Sequence, residues 1–267
     1  MTDHTDNPTG STVFEAADGD ATKRAAIERS IAAHGAVARL APRGFLTDQQ
    51  ILIVVHPGFE MLDAIGPMHF LAATGATVHL ASTGAAGEPV LSGNGVSVLP
   101  TVSLAEADDA PTVILVPGGD TGILLRDDAA MASIERIGHG AQYVTSVCTG
   151  SIALAAAGLL DGLHATSHWA FRHLLTGYGA IEVDERVVED GNRMTAAGVT
   201  AGMDLAIALV AKLCGDDYAR FSVLGAEYAP QLPFEAGTPM TAGDELTNIA
   251  RDFFAPMEEE LRARQSR

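Results

Sequence analysis

Short apolar runs alternate along the chain with segments of helical composition. Residues 51–55 (Ile-Leu-Ile-Val-Val) are continuously apolar, and residues 112–116 (Thr-Val-Ile-Leu-Val) nearly so, which is typical of strands buried on both faces of a parallel sheet. Further strands are predicted at 77–81 and 143–147, helices at 63–74, 128–138, 152–160, 199–214 and 216–228, and hairpins at 90–99 and 183–195. The pattern predicts an α/β fold with an open, mostly parallel sheet and helices on both faces.

The two ends of the chain depart from this alternation. Residues 1–48 are predicted to be an N-terminal extension, with a first stretch of twenty rich in Asp, Thr and Gly that indicates disorder. Residues 21–36 have helical composition, and residues 41–44 (Ala-Pro-Arg-Gly) are typical of a linker. We therefore expect one domain over residues 49–240, followed by a C-terminal helix or tail over residues 241–267.

Composition excludes several classes of function. The net charge of −18 disfavours nucleic-acid binding, which needs a basic face. No apolar run reaches the roughly eighteen residues of a membrane span, and the N-terminus lacks the pattern of a secretory signal, so we expect a cytoplasmic protein without a membrane partner. The two cysteines are far apart and the histidines form no ligand-spaced cluster, so neither a disulfide framework nor a metal site is predicted.

The strand at residues 143–147 runs directly into Cys148, Thr149 and Gly150 and then into an Ala-rich helix. A thiol at this turn lies near the positive N-terminus of the helix, which favours the nucleophilic thiolate. A free cysteine can also be a small core residue. The strand-to-helix turn favours a nucleophile at Cys148, whereas Cys214, at the end of an apolar helix, is predicted to pack in the core.

Two other segments end at the same predicted edge of the sheet. Asp63 follows the first strand by a short loop, where it is either a helix N-cap or a carboxyl leaning towards Cys148. In the second case the two negative charges repel, the pKa of the carboxyl rises, and Asp63 can hold and donate a proton. Gly118 and Gly119 follow another strand and form either a simple turn or, with the Thr149 amide, a backbone site for an anion.

Histidine is the usual partner of a catalytic thiol, but the residue directly after Cys148 is Thr149. His164 and His168 follow the cysteine helix, and His168 stands beside Trp169, where a structural role is the simpler interpretation. The sequence pattern therefore does not decide whether a histidine or Asp63 is the acid or base of the site.

Taken together, the motifs resemble the DJ-1/PfpI superfamily over about residues 50–240. The resemblance rests on these segments: Leu62-Asp63-x-x-Gly66-Pro67, Val116-Pro117-Gly118-Gly119, Ser146-Val147-Cys148-Thr149-Gly150, Ala165-Thr166-Ser167-His168-Trp169, Glu185-Arg186-Val187-Val188, Ala197-Gly198-Val199-Thr200-Ala201-Gly202-Met203-Asp204 and Glu227-Tyr228-Ala229-Pro230. It implies a flavodoxin-like three-layer sandwich, as in class I glutamine amidotransferases, a homodimer, and a cysteine on a strained nucleophile elbow.

Within that superfamily the chain resembles the bacterial isocyanide hydratases, which carry an aspartate and a threonine at the positions of Asp63 and Thr149. This implies a cofactor-independent hydro-lyase that converts an isocyanide and water into an N-substituted formamide. Cys148 would form a covalent thioimidate, with Asp63 as general acid and base and Thr149 orienting the reacting groups. The Gly118–Gly119 backbone would stabilise developing charge. The residues expected to line an apolar substrate pocket are Ile65, His168, Trp169 and Val199.

Two other functions are also consistent with a cysteine at this strand-to-helix turn. One is a DJ-1-like thiol enzyme of other specificity, such as a glyoxalase-like hydration of a dicarbonyl, and the other is a sensor in which Cys148 is oxidised to sulfinate. A third reading, the N-terminal half of an AraC-type regulator, requires about 100 further residues with a basic helix-turn-helix face. Residues 245–267 provide one amphipathic helix at most, so DNA binding is not expected.

Overall fold

The computed structural model describes residues 21–265, so the disorder predicted for residues 1–20 lies outside the described part of the chain. The strands are β1 (Gln50–Val55), β2 (Thr77–Ser82), β3 (Val90–Leu91), β4 (Ser97–Val98), β5 (Val102–Ser103), β6 (Val113–Val116), β7 (Tyr143–Val147), β8 (His164–Ala165), β9 (Ile181–Glu182), β10 (Val187–Asp190) and β11 (Arg193–Ala196). The helices are α1 (Ala21–Leu40), α2 (Met61–Ala72), α3 (Thr121–Leu124), α4 (Asp128–Gly140), α5 (Gly150–Ala156), α6 (Ala201–Cys214), α7 (Asp216–Gly225), α8 (Pro239–Ala242) and α9 (Asp244–Arg264), with a 3₁₀ helix at Arg172–Tyr178.

Seven strands form the central sheet in the order β10-β11-β7-β6-β1-β2-β5. All neighbouring pairs are parallel except β10 and β11, which form the predicted hairpin. The parallel order places the carboxyl ends of β1, β6 and β7 side by side at one edge. Ligands of open α/β sheets bind beyond this edge.

The two faces of the sheet bury separate apolar layers because successive strand residues point to opposite sides. In β1, Ile51, Ile53 and Val55 pack towards α2 and α6. Leu52 and Val54 pack on the other face, in the cluster that contains residues of α4, α5 and α9. The result is a three-layer α/β sandwich, as the apolar strand pattern predicts.

The predicted linker at residues 41–44 is tied to the body of the protein. Arg43 Nη1 donates to the carbonyl oxygens of Ala211 and Lys212 in the last turn of α6, both at 2.8 Å. The rings of Phe45 and Tyr218 meet edge to face, with 5.2 Å between centroids. Residues 41–46 therefore extend the packed structure beyond the predicted domain boundary.

The C-terminal part of the chain also packs on the sheet layers. Helix α9 accounts for the amphipathic helix predicted there and buries Leu261 completely, while Arg126 pairs with Glu260. The same helix carries Leu246, Ile249 and Phe253, which are 55%, 59% and 76% exposed. Within residues 21–265, no helix is both long and apolar enough to cross a membrane.

Candidate active site

The loops after β1 and β6 are joined at the carboxyl edge of the sheet. The Glu60 N–H donates to Gly118 O, and the Asp120 N–H donates to Gly58 O, each at 2.9 Å, around an isolated bridge between Phe59 and Gly119. A Cβ on Gly119 would lie 2.4 Å from Gly58 O, and its φ of 104° is unfavourable for other residues. This bridge fixes the position of the Gly118–Gly119 backbone relative to α2.

Cys148 lies on a strained turn between β7 and α5, with a φ of 58° and a side chain that is almost fully buried. Its N–H donates to Ala197 O at 2.8 Å, and its carbonyl oxygen accepts from Ser167 Oγ at 2.9 Å and Ser151 Oγ at 3.0 Å. Such a conformation persists only where the surroundings fix it. Sequence reasoning did not single out the two serines, because a buried serine carries no pattern of its own.

Asp63 lies in the first turn of α2, and Glu60 occupies the N-cap position, so the N-cap interpretation of Asp63 is wrong. Its side chain is fully buried, and Oδ2 accepts the Gly118 N–H at 2.9 Å. The other oxygen, Oδ1, is buried and has no hydrogen-bond partner within residues 21–265. Burial raises the pKa of Asp63 to about 7, although the Gly118 N–H and the nearby Cys148 thiol oppose the shift.

Gly118 has a different partner from the one expected. Its N–H donates to the Asp63 carboxylate. A Cβ at Gly118 would lie 2.6 Å from Thr149 Oγ1 and 2.9 Å from Cys148 Cβ. The absence of a side chain therefore lets the carboxyl, the thiol and Thr149 approach one another.

The sulfur of Cys148 is surrounded by donors but is not in a thiolate-favouring site. Burial and the Asp63 charge raise the pKa of Cys148 above its ordinary range, while the Thr149 N–H, the Val199 N–H and the Thr149 hydroxyl act in the opposite direction. Burial of the thiol outweighs the effect of the N-terminus of α5, since this helix has only seven residues. Cys148 and Asp63 are therefore a coupled pair that keeps one proton between them above about pH 7.

Thr149 is buried and is held by a second threonine. Its hydroxyl and that of Thr121 hydrogen-bond to each other at 2.6 Å, and Thr121 is also fully buried. Thr121 begins α3, directly after the loop that contains Gly118 and Gly119. Sequence reasoning missed Thr121, since a single threonine after a glycine loop has many structural uses.

The four predicted pocket residues fall in three places. Val199 lies beside Cys148, where its N–H faces the sulfur from a backbone with a φ of 20°. Ile65 is half-buried on α2, two residues after Asp63. His168 and Trp169 line a cavity of about 350 Å³, together with Phe254 and residues 236–250.

This cavity borders the Cys148 site without containing its reacting groups. Cys148 and Asp63 are not among its lining residues. A Cβ on Gly198, next to Val199, would lie 2.8 Å from His168 Cδ2, so the cavity wall touches the turn that faces the sulfur. Burial lowers the pKa of His168 to about 4, so its ring is neutral at physiological pH and does not form an ion pair with the thiol.

The tight packing of the elbow gives a first testable prediction. A Cβ on Gly150 would lie 2.0 Å from Val116 O and 2.8 Å from Pro117 O, both of them backbone atoms that cannot move aside cheaply. We expect Gly150→Ala to destabilise the protein by about 1–3 kcal/mol, or roughly 3–10 °C in thermal unfolding followed by circular dichroism. Gly225→Ala is the control, since nothing lies within 4 Å of a Cβ there. Equal unfolding temperatures for the two variants would contradict this packing.

Comparison with known proteins fixes the family. The sequence profile of the DJ-1/PfpI family matches residues 49–212. The chain belongs to the DJ-1/PfpI family. This membership confirms the resemblance inferred from the motifs and the flavodoxin-like sandwich. A THiJ/PfpI family protein from Pseudomonas syringae has the same architecture. That crystal structure has a TM-score of 0.78 and 37% sequence identity, and the match covers 81% of this chain and 90% of the other.

The relatives of this DJ-1/PfpI protein differ in how much of their own length matches it. The isonitrile hydratase of Pseudomonas putida is 43% identical over 211 residues, which are 78% of this chain and 90% of that protein. The transcriptional regulator CdhR of Pseudomonas aeruginosa is 33% identical over 135 residues, which are 50% of this chain but only 40% of the regulator. The hydratase thus matches nearly throughout its length, whereas the regulator matches over one part.

Proposed function

We propose that this protein is an isocyanide hydratase, a hydro-lyase that adds water to an isocyanide to give an N-substituted formamide. The observation that carries the proposal is the buried Asp63 carboxyl, which Gly118 holds beside the Cys148 thiol. The extensive match to the isonitrile hydratase of Pseudomonas putida supports the same reaction.

In the first step, Asp63 takes the thiol proton of Cys148 and delivers it to the terminal carbon of the isocyanide as the sulfur attacks that carbon. One S–H bond breaks, one C–S and one C–H bond form, and the product is the thioimidate R–N=CH–S–Cys148. The coupled pair suits this step because it keeps one proton in a buried site, where Asp63 can move it.

In the second step, Asp63 accepts a proton from water while the hydroxide adds to the thioimidate carbon, and the proton passes to the substrate nitrogen. Breaking of the C–S bond then releases R–NH–CHO and returns a proton to the thiol, which restores the starting pair. The atoms balance with water as the sole co-reactant, so the proposed reaction requires no metal or organic cofactor. Within residues 21–265, no three or more His, Cys, Asp or Glu side chains are grouped to hold a metal ion.

Thr149, Gly119 and the pocket residues have supporting roles in this proposal. The Thr149 hydroxyl, fixed by Thr121, orients the sulfur, and the backbone amides of Thr149 and Gly119 stabilise developing charge. The Gly118 N–H binds the Asp63 carboxylate. Ile65 and Val199 would contact the R group of the isocyanide near Cys148, and the neutral ring of His168 and Trp169 would do so in the adjoining cavity.

A redox-sensor function is a second candidate, because a carboxyl with a raised pKa beside Cys148 could also hydrogen-bond to a sulfinate. Mild peroxide would then add two oxygens, about 32 Da, to Cys148. The two candidates differ in turnover, since a sensor is consumed stoichiometrically whereas a hydratase converts many equivalents of isocyanide.

We also infer a homodimer in the cytoplasm. The exposed Leu246, Ile249 and Phe253 are spaced i, i+3 and i+7 on one face of α9, the spacing of a helix that packs against a partner, and a second copy would cover them. Light scattering in solution should give twice the chain mass of 27.6 kDa, and a mass of one chain would contradict the dimer.

Direct assay tests the hydratase proposal. Purified protein should convert para-nitrophenyl or cyclohexyl isocyanide to the corresponding formamide with catalytic turnover, as measured by chromatography. A dicarbonyl such as methylglyoxal, assayed in parallel, tests the glyoxalase-like alternative. Failure on a panel of aryl and alkyl isocyanides would overturn the proposal.

A further inference from the structure

A polar network outside the Cys148 site connects the start of β10, helix α6 and the segment after α7. The Arg186 guanidinium pairs with the Asp204 carboxylate, and its Nη2 donates to Thr200 Oγ1 at 3.1 Å. The Tyr228 hydroxyl donates to Asp204 Oδ1 at 2.9 Å. These four side chains form one connected hydrogen-bonded unit.

The network holds the turn over residues 197–200 from outside. The Ala197 N–H donates to Arg186 O at 2.9 Å, and the guanidinium of the same arginine binds Thr200 at the other end of the turn. The inner side of this turn faces the thiol, because Ala197 O accepts the Cys148 N–H and the Val199 N–H faces the sulfur. One arginine therefore fixes both ends of the segment that contacts Cys148.

Residues with a strained backbone lie along the connection from the network to the thiol. Within residues 21–265, Cys148, Val199 and Glu227 are the residues other than glycine with positive φ, at 58°, 20° and 50°. Positive φ at a β-branched residue such as Val199 is a marked outlier, and strain of this kind needs a surrounding structure that imposes it. Glu227 directly precedes Tyr228, so the strained positions lie at the thiol, at the turn that faces it and at the outer end of the network.

We propose that Arg186, Asp204 and Tyr228 are positioning residues that hold the Val199 N–H against the Cys148 sulfur. An exposed ion pair by itself contributes little to stability, so their expected effect is on the reactivity of the thiol. The inference rests on the proposed role of Cys148 as a nucleophile, but it does not require that the substrate be an isocyanide.

A matched control lies between the same two elements. Lys212 Nζ pairs with Glu189 at 2.6 Å and joins α6 to β10 at the end of α6 away from Val199. Glu189→Gln therefore removes an ion pair of the same type without touching the turn. The test variants are Tyr228→Phe, which removes one hydroxyl and preserves the ring, and Arg186→Met.

The readout is the rate at which iodoacetamide alkylates Cys148, followed by peptide mass spectrometry between about pH 6 and pH 10. Losing one hydrogen bond to the sulfur should slow alkylation about 3- to 10-fold at a given pH and move the profile to higher pH. The kcat for the isocyanide should fall by a similar factor, with KM unchanged within about twofold. Glu189→Gln should match the wild type in both measurements.

Alkylation profiles of Tyr228→Phe and Arg186→Met that coincide with those of the wild type and Glu189→Gln would overturn the inference. A lower unfolding temperature with an unchanged profile would overturn it as well, since it would show a purely structural role. If the wild type fails to hydrate isocyanides while the profile shifts as expected, the positioning role stands and the proposed substrate is wrong.

Discussion

Cys148→Ala is expected to abolish formamide production, with a loss of roughly 10³-fold or more in kcat, because no other group can form the thioimidate. The side chain is almost fully buried, and alanine removes only the sulfur, so the fold should survive. Formation of formamide from para-nitrophenyl isocyanide measures the loss of kcat. Intact-mass detection of the thioimidate during turnover tests whether the covalent intermediate forms.

The control for this variant is Cys214→Ala. Cys214 is the second free cysteine, fully buried in the layer that contains α2 and α6, and its loss should leave kcat unchanged. If Cys148→Ala retained activity within tenfold of the wild type, the covalent mechanism would be wrong, whereas the hydratase function would stand.

Asp63→Asn is expected to lower kcat by about 10²- to 10⁴-fold, which is the usual contribution of a general acid and base. The asparagine oxygen can still accept the Gly118 N–H, so the variant tests the proton and not the geometry. Glu60→Gln is the control, because Glu60 is the neighbouring carboxylate that raises the pKa of Asp63 from outside the site. Its kcat should stay within a few-fold of the wild type.

The pH dependence of the wild type follows from the same pair. Below about pH 7 both Asp63 and Cys148 are protonated, and no base remains to take the thiol proton, so activity should fall as pH decreases through this value. A second decrease is expected in alkaline solution, where the pair loses its last proton. A profile that is flat between about pH 5 and pH 8 would exclude Asp63 as the base.

The raised pKa of Asp63 also lowers stability as pH increases. In the unfolded chain this carboxyl loses its proton near pH 4, whereas in the folded protein it retains the proton to about pH 7. The folded state therefore binds more protons in this window, and the free energy of unfolding decreases by about 4 kcal/mol across it. Asp63→Asn should remove this dependence and be more stable than the wild type at about pH 8, as measured by urea unfolding.

The sheet and the position of Cys148 at its carboxyl edge could be predicted from the sequence. The continuous apolar runs in β1 and β6 identify strands covered on both faces, and parallel order then places Asp63, Gly118 and Cys148 at one edge. These inferences rest on side-chain periodicity and chain direction, which are properties of the local sequence.

The hydrogen bonds of the site could not be predicted in the same way. The Gly118 N–H binds Asp63 and the Val199 N–H faces the sulfur because of backbone angles that arise from contacts between distant segments. Likewise, the thiolate expected at the helix N-terminus depended on burial, which a local pattern does not measure. The short elements α3 and β5 escaped prediction because they contain neither a period nor a continuous apolar run such as that of β6.

The bond from Arg43 to the end of α6 bears on how the protein should be handled in the laboratory. The family profile begins at residue 49, and an expression boundary chosen there would remove this guanidinium together with the Phe45 ring. The same helix begins at the turn that contacts the Cys148 sulfur. One end of α6 therefore lies beside the thiol, and the other end binds Arg43. A shortened protein for assay or crystallisation should therefore include Arg43 and Phe45.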